Sequence, residues 1–190
     1  MEKILVFLLL FSSFLFADFA VQSLQELRSK GVVRQNYEES CGASALATLI
    51  NLWDSQQFSE MDMIQYLSAN EAENNTDMVS FLDLENVLHA LDYQVKSYRI
   101  NRDSFLKTSF PMLVKIEDDP RFPHFVVVIN HEGDYLSVFD PSYGVYVSTK
   151  QEFFSIWDKD HKGGYALLIA PKTEYFKGYT PQFPNKRAFE

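Results

Sequence analysis

The chain has 190 residues, of which 46% are hydrophobic and 15% aromatic, enough for one packed domain but hardly for two separate cores. Its formal net charge of −9 at pH 7 predicts an acidic surface and argues against nucleic acid or anionic lipid as a partner. With one cysteine and four scattered histidines, the sequence predicts no metal site, no other cofactor and no intramolecular disulfide.

The first residues have the pattern of a secretion signal. Lys3 precedes an apolar run from Ile4 to Phe16, whereas a membrane-spanning helix needs about 20 apolar residues. We therefore predict a signal peptide over residues 1–17, with cleavage after Ala17 or as late as Ala20. This implies a periplasmic or otherwise exported protein that has no membrane association once the leader is removed. An uncleaved N-terminal anchor is the alternative.

The elements that follow begin with helices. Capping signals at Ser23, Ser59 and Ser80 each predict a helix start, and residues 41–53 have the composition of a buried central helix. Alternating or compact apolar runs then predict strands at 93–100, 111–116, 124–130, 135–139, 145–148 and 165–170, with a short helix at 151–157. This order predicts an α+β domain over residues 21–171, with helices on an antiparallel sheet, followed by an extended tail at 172–190.

Cys41 is the first candidate for chemistry. It lies at the predicted N-terminus of the central helix, where unpaired backbone N–H groups and the helix dipole favour a thiolate. By position alone, a buried and inert cysteine is an equally good interpretation.

Three further residues are candidates to work with that thiol. His124 opens a rigid strand and is placed to act as a general base. Asp140 ends the neighbouring strand, where its carboxylate can orient the imidazole, although Asp140-Pro141-Ser142-Tyr143-Gly144 is also good type I turn chemistry. Gln35, six residues before the cysteine, can donate a hydrogen bond to an oxyanion, or it is an ordinary loop residue.

These residues together resemble a known family. Gln35, five further residues, Cys41-Gly42 and the small residues after them are similar to the nucleophile motif of the bacteriocin-processing, double-glycine peptidases, cysteine peptidase family thirty-nine. The segments that begin at His124 and Asp140 resemble the same family's His and Asp motifs, in the same order. The resemblance implies a papain-like fold and a Cys41-His124-Asp140 triad, with Gln35 in the oxyanion hole. The family commonly has Asp before the cysteine, whereas this chain has Ser40.

The chain resembles the stand-alone, exported members of the family, including those of functional-amyloid secretion systems. This implies an exported cysteine endopeptidase that cleaves a secreted polypeptide after small residues such as Gly-Gly, with secretion-system or amyloid proteins as further partners. Two alternatives stay open: a non-catalytic peptide-binding module of the same fold, and a cell-wall peptide hydrolase or transglutaminase-like enzyme.

Overall fold

The computed structural model describes residues 23–54, 56–70, 79–117, 123–170 and 172. The predicted signal peptide and nearly all of the predicted tail lie outside the described residues. Within them, no helix combines the length and hydropathy that a membrane crossing requires.

Helices precede strands, as predicted. The helices are α1 (Leu24–Ser29), α2 (Cys41–Trp53), α3 (Glu60–Asn70), α4 (Phe81–Ala90), α5 (Arg102–Leu106) and α6 (Lys150–Trp157). The strands are β1 (Gln94–Ile100), β2 (Met112–Ile116), β3 (His124–Asn130), β4 (Tyr135–Asp140), β5 (Gly144–Thr149) and β6 (Gly164–Ala170). The capping signals at Ser23, Ser59 and Ser80 are confirmed, because each serine side chain accepts a hydrogen bond from the backbone N–H three residues later. The sequence interpretation missed α5, whose N-cap is Asn101.

The strands form one antiparallel sheet in the order β1-β6-β2-β3-β4-β5, which confirms the predicted α+β class. Strands β3 and β4 therefore lie inside the sheet, each with a hydrogen-bonded neighbour on both sides. Their register pairs Val127 with Phe139, so the next pair would set Asp140 opposite Val126. His124 lies two residues from Val126 along β3, which makes His124 and Asp140 diagonal neighbours. Side chains at such diagonal positions are within reach of each other.

Both faces of the sheet are covered. Along β3, Phe125, Val127 and Ile129 face the core that contains α2, while Val126 and Val128 face a second core. The second core contains Phe105 of α5 and the aromatic side chains of α6, so these helices form a layer opposite α2. Burial on two sides explains why β3 is a continuous apolar run instead of an alternating one.

Candidate active site

Cys41 is the first residue of α2 and is partly exposed, while the next nine residues of the helix are buried or nearly so. Its sulfur is hydrogen-bonded to the His124 ring and to the backbone N–H groups of Phe125 and Gly42. Burial raises the pKa of the Cys41 thiol, but these hydrogen bonds and the charge of His124 outweigh it, so the pKa lies below its usual value. The site therefore favours a thiolate.

His124 is the first residue of β3, and its ring lies between the sulfur and a carboxylate. Its Nε2 donates to Asp140 Oδ1 at 2.9 Å, which leaves Nδ1 as the ring nitrogen available to Cys41. Burial lowers the pKa of His124, but the hydrogen bonds and charges of Asp140 and Cys41 raise it further, to about 9. The imidazole is accordingly protonated at neutral pH when the sulfur is a thiolate.

Asp140 is the last residue of β4 and is only 2% exposed. Besides the imidazole, its Oδ1 accepts hydrogen bonds from the backbone N–H groups of Ser142 at 2.7 Å and Tyr143 at 3.1 Å. The two interpretations of this residue therefore hold together, since one carboxylate both shapes the turn and contacts the ring. A carboxylate fixed by the backbone in this way has little freedom to leave the imidazole.

Gln35 is bound to the same turn. Its backbone N–H donates to Pro141 O at 3.0 Å, and its Oε1 accepts from Ser142 Oγ at 3.1 Å. Its Nε2 donates to Tyr37 O at 2.8 Å, and because an amide nitrogen carries two hydrogens, a second N–H is left over. The structure thus brings Cys41, His124 and Asp140 into contact and fastens Gln35 to the turn that holds Asp140.

Glu60 is a residue of this region that the sequence interpretation missed. It is the first residue of α3 and is 4% exposed. Its carboxylate accepts a hydrogen bond from Ser40 Oγ at 2.5 Å, and Ser40 makes no side-chain cap to α2. An acidic residue in the first turn of a helix is commonplace, because it complements the helix dipole, so the sequence carried no particular signal for it.

Gly42, next to the sulfur, lies under a crowded apolar surface. A Cβ at this position would come within 3.3 Å of Val79 and 3.4 Å of Phe125. Phe81 packs edge-on against Phe125, with 5.2 Å between the ring centroids. The interior packed against Gly42 is therefore apolar and leaves little room for a side chain at position 42.

Among residues 23–54, 56–70, 79–117, 123–170 and 172, no group of three or more His, Cys, Asp or Glu side chains is arranged to hold a metal ion.

The fold is that of papain-like peptidase domains. The chain is similar to the crystal structure of the peptidase domain of Streptococcus ComA, a bi-functional ABC transporter involved in a quorum-sensing pathway, with a TM-score of 0.60, 21% identity and coverage of 74% of this chain and 98% of that domain. It is also similar to a double glycine motif protease from an AMS/PCAT transporter, solved in complex with the leader peptide, with a TM-score of 0.55, 20% identity and coverage of 74% and 91%.

The sequence comparisons define the family. Residues 29–174 match the Peptidase C39 family, and the chain belongs to that family. It is 29% identical over 140 residues to the probable functional amyloid protease FapD of Pseudomonas fluorescens, an alignment that covers 73% of this chain. The chain spans 62% of the length of that relative. The resemblance drawn from the motifs is thereby confirmed.

Proposed function

We propose that this chain is a cysteine endopeptidase with Cys41 as nucleophile, His124 as general base and acid, and Asp140 as the group that orients the imidazole. The observation that carries the proposal is the unbroken series of hydrogen bonds from the sulfur through the imidazole to a buried carboxylate. The lowered pKa of Cys41 and the raised pKa of His124 support it, because they favour a thiolate-imidazolium pair at neutral pH.

The reaction follows from this pair. The Cys41 thiolate attacks the carbonyl carbon of the scissile peptide, a C–S bond forms, and the carbonyl electron pair moves onto oxygen. As that pair returns and the C–N bond breaks, the His124 imidazolium gives its proton to the leaving amine. The neutral imidazole then takes a proton from water, whose oxygen attacks the thioester and releases the acid and the thiolate.

The oxyanion needs donors beside the sulfur, and two are at hand. Ser40 provides no side-chain cap to α2, and the first N–H groups of a helix, that of Cys41 among them, have no acceptor within the helix itself. The second N–H of Gln35 Nε2, beyond its bond to Tyr37 O, is the side-chain donor. We assign Gln35 and the backbone N–H of Cys41 to the oxyanion hole.

For the substrate we propose a secreted or exported polypeptide cleaved after small residues such as Gly-Gly, in a bacterial secretion or functional-amyloid system. The similarity to a functional amyloid protease and to a double glycine motif protease solved with a leader peptide supports the substrate class. The apolar run from Ile4 to Phe16 supports a periplasmic or otherwise exported location.

The test combines cleavage with labelling of the thiol. The purified chain is incubated with the secreted proteins of the cell that makes it, and new N-termini are sequenced. We expect new termini after small residues with the wild type and none with Cys41→Ala, whose thermal unfolding should stay close to wild type because the removed atom is partly exposed. Iodoacetamide should label Cys41 at neutral pH.

Other outcomes count against the proposal. Cleavage that persists in Cys41→Ala would refute the nucleophile. A Cys41 that neither cleaves nor reacts with iodoacetamide would favour the peptide-binding module, and release of cell-wall peptides in place of protein termini would favour the cell-wall hydrolase.

A further inference from the structure

The segment between Gln35 and Cys41 has neither helix nor strand, yet it carries a residue of the proposed site at each end. It contains Glu39, whose φ of 62° lies in the left-handed region that residues with a side chain seldom adopt. Such a conformation persists only where the surroundings impose it. Hydrogen bonds to Tyr37 O from Gln35 Nε2 and from Ser40 Oγ, each at 2.8 Å, hold part of the segment, and contacts from outside it can add to them.

Glu60 makes the contacts that can do so. Its carboxylate accepts from the backbone N–H of Asn36 at 2.9 Å and of Tyr37 at 3.2 Å, and from Asn36 Nδ2 at 2.8 Å. The fourth donor is Ser40 Oγ at 2.5 Å. One buried side chain on α3 thus holds three residues of the segment, including the two that adjoin its ends.

Side-chain packing between residues 36–40 and the start of α3 is incomplete, so it does not replace the hydrogen bonds of Glu60. An open pocket of about 340 Å³ lies between the segment and the start of α3, lined by Val33, Arg34, Asn36, Tyr37, Ser59, Glu60 and Met61. Burial raises the pKa of Glu60, but the hydrogen bonds from Ser40, Asn36 and Tyr37 outweigh it, so the pKa lies below its usual value and the group is a carboxylate at neutral pH. A charged acceptor strengthens each of these bonds.

We propose that Glu60 is a positioning residue of the oxyanion hole: it fixes residues 36–40 so that the Gln35 amide and the Cys41 N–H are directed at one point beside the sulfur. Ser40 makes no side-chain cap to α2, and its hydroxyl lies 2.5 Å from Glu60 Oε1 and 2.8 Å from Tyr37 O. This inference rests on the proposed peptidase function, since an oxyanion hole has a task only if a carbonyl is attacked.

Glu60→Gln is the direct test. The glutamine amide has the same shape as the carboxylate. Its NH₂ group can only donate, however, so it cannot accept from the N–H groups that now donate to a carboxylate oxygen. We expect hydrolysis of a fluorogenic Gly-Gly peptide, expressed per Cys41 thiol titrated with iodoacetamide, to fall about 10- to 100-fold through kcat, as misplacement on the order of 1 Å does. The pH midpoint of Cys41 alkylation should stay at its wild-type value, because His124 and Asp140 are untouched.

Glu85→Gln is the matched control. Glu85 is also a helical carboxylate that accepts from a backbone N–H, that of Ser97 at 2.6 Å, but it lies on α4, and this bond does not involve residues 35–41. Its turnover per titrated thiol should equal that of the wild type.

Ser40→Ala removes only one of the four bonds to Glu60, so it should lower turnover less than Glu60→Gln does. It also provides a second test if Glu60→Gln folds poorly.

A charge exchange gives a second test. Ser40→Asp alone sets two carboxylates against each other and should lower turnover per titrated thiol. Adding Glu60→Gln in that background lets the amide donate to Asp, so the substitution that harms the wild type should now raise turnover.

Wild-type turnover per thiol in Glu60→Gln would overturn the role of Glu60. A wild type that does not cleave any peptide although its Cys41 reacts would instead refute the proposed function.

Discussion

His124 and Asp140 stand on neighbouring strands in the interior of the sheet, whereas Gln35 and Cys41 stand at the two ends of a segment without regular structure. We call the first pair the sheet half of the site and residues 35–41 the loop half. Each residue of the sheet half has a ladder partner in a neighbouring strand, Ile116 for His124 and Gly144 for Asp140. Side-chain hydrogen bonds, above all those of Glu60, hold the loop half. We therefore expect a substitution in the sheet half that keeps the turn at Asp140 to alter chemistry alone, and one that breaks the Glu60 hydrogen bonds to alter the geometry of the loop half.

The largest effect short of removing the sulfur should come from Asp140→Asn in the sheet half. The amide oxygen can still accept from the N–H groups of Ser142 and Tyr143, so the turn should survive. The charge that supports the imidazolium is lost, and kcat should fall by about 10³–10⁴-fold, the order seen when a triad carboxylate becomes an amide. Peptide hydrolysis measures this, with thermal unfolding as the check on the fold.

The pH profile sharpens the same prediction. Wild-type cleavage should fall as pH rises through about 9, because the His124 imidazolium that protonates the leaving amine is then lost. Without the Asp140 charge the pKa of His124 drops, so this limb should move to lower pH in Asp140→Asn. Asp134→Asn, at the other end of β4, should keep the wild-type profile. An unmoved limb in Asp140→Asn would contradict the assignment of Asp140.

Gln35→Ala should have the next largest effect. Loss of one oxyanion donor typically costs about 10²–10³-fold in kcat. Because the sheet half is unchanged, the pH dependence of Cys41 alkylation should match the wild type, which separates this variant from Asp140→Asn. Gln151→Ala, an exposed glutamine on α6, serves as the control. Equal turnover in Gln35→Ala and wild type would remove Gln35 from the site.

Ser142→Ala should have the smallest effect, since it breaks one link between the halves. The hydroxyl donates to Gln35 Oε1, while the backbone N–H of Ser142 keeps its bond to Asp140. A net hydrogen bond contributes about 0.5–1.5 kcal/mol, so turnover should fall by roughly 2- to 10-fold. If the hydroxyl acts only through Gln35, Ser142→Ala should have no further effect in a Gln35→Ala background. Additive losses in the double variant would contradict this link.

The sequence names candidate residues in both halves of the site, but it does not indicate what holds the loop half. His124 and Asp140 lie in contiguous patterns, a strand start and a turn, which local chemistry makes recognisable. Glu60 comes 60 − 41 = 19 positions after the cysteine, and only the folded chain brings it to Asn36 and Ser40. The five-residue α5 was missed for a related reason, because so short a helix has no apolar period and depends on Phe105 packing against α6.

The Cys41 sulfur is also open to oxidation. A partly exposed sulfur held as a thiolate is the form that peroxide oxidises to a sulfenic acid. A sulfenic acid is normally rescued when a neighbouring thiol condenses with it, but the chain has no second cysteine. An oxidised copy therefore needs a thiol from another molecule to recover, which ties peptidase activity to the reductants of the surrounding compartment.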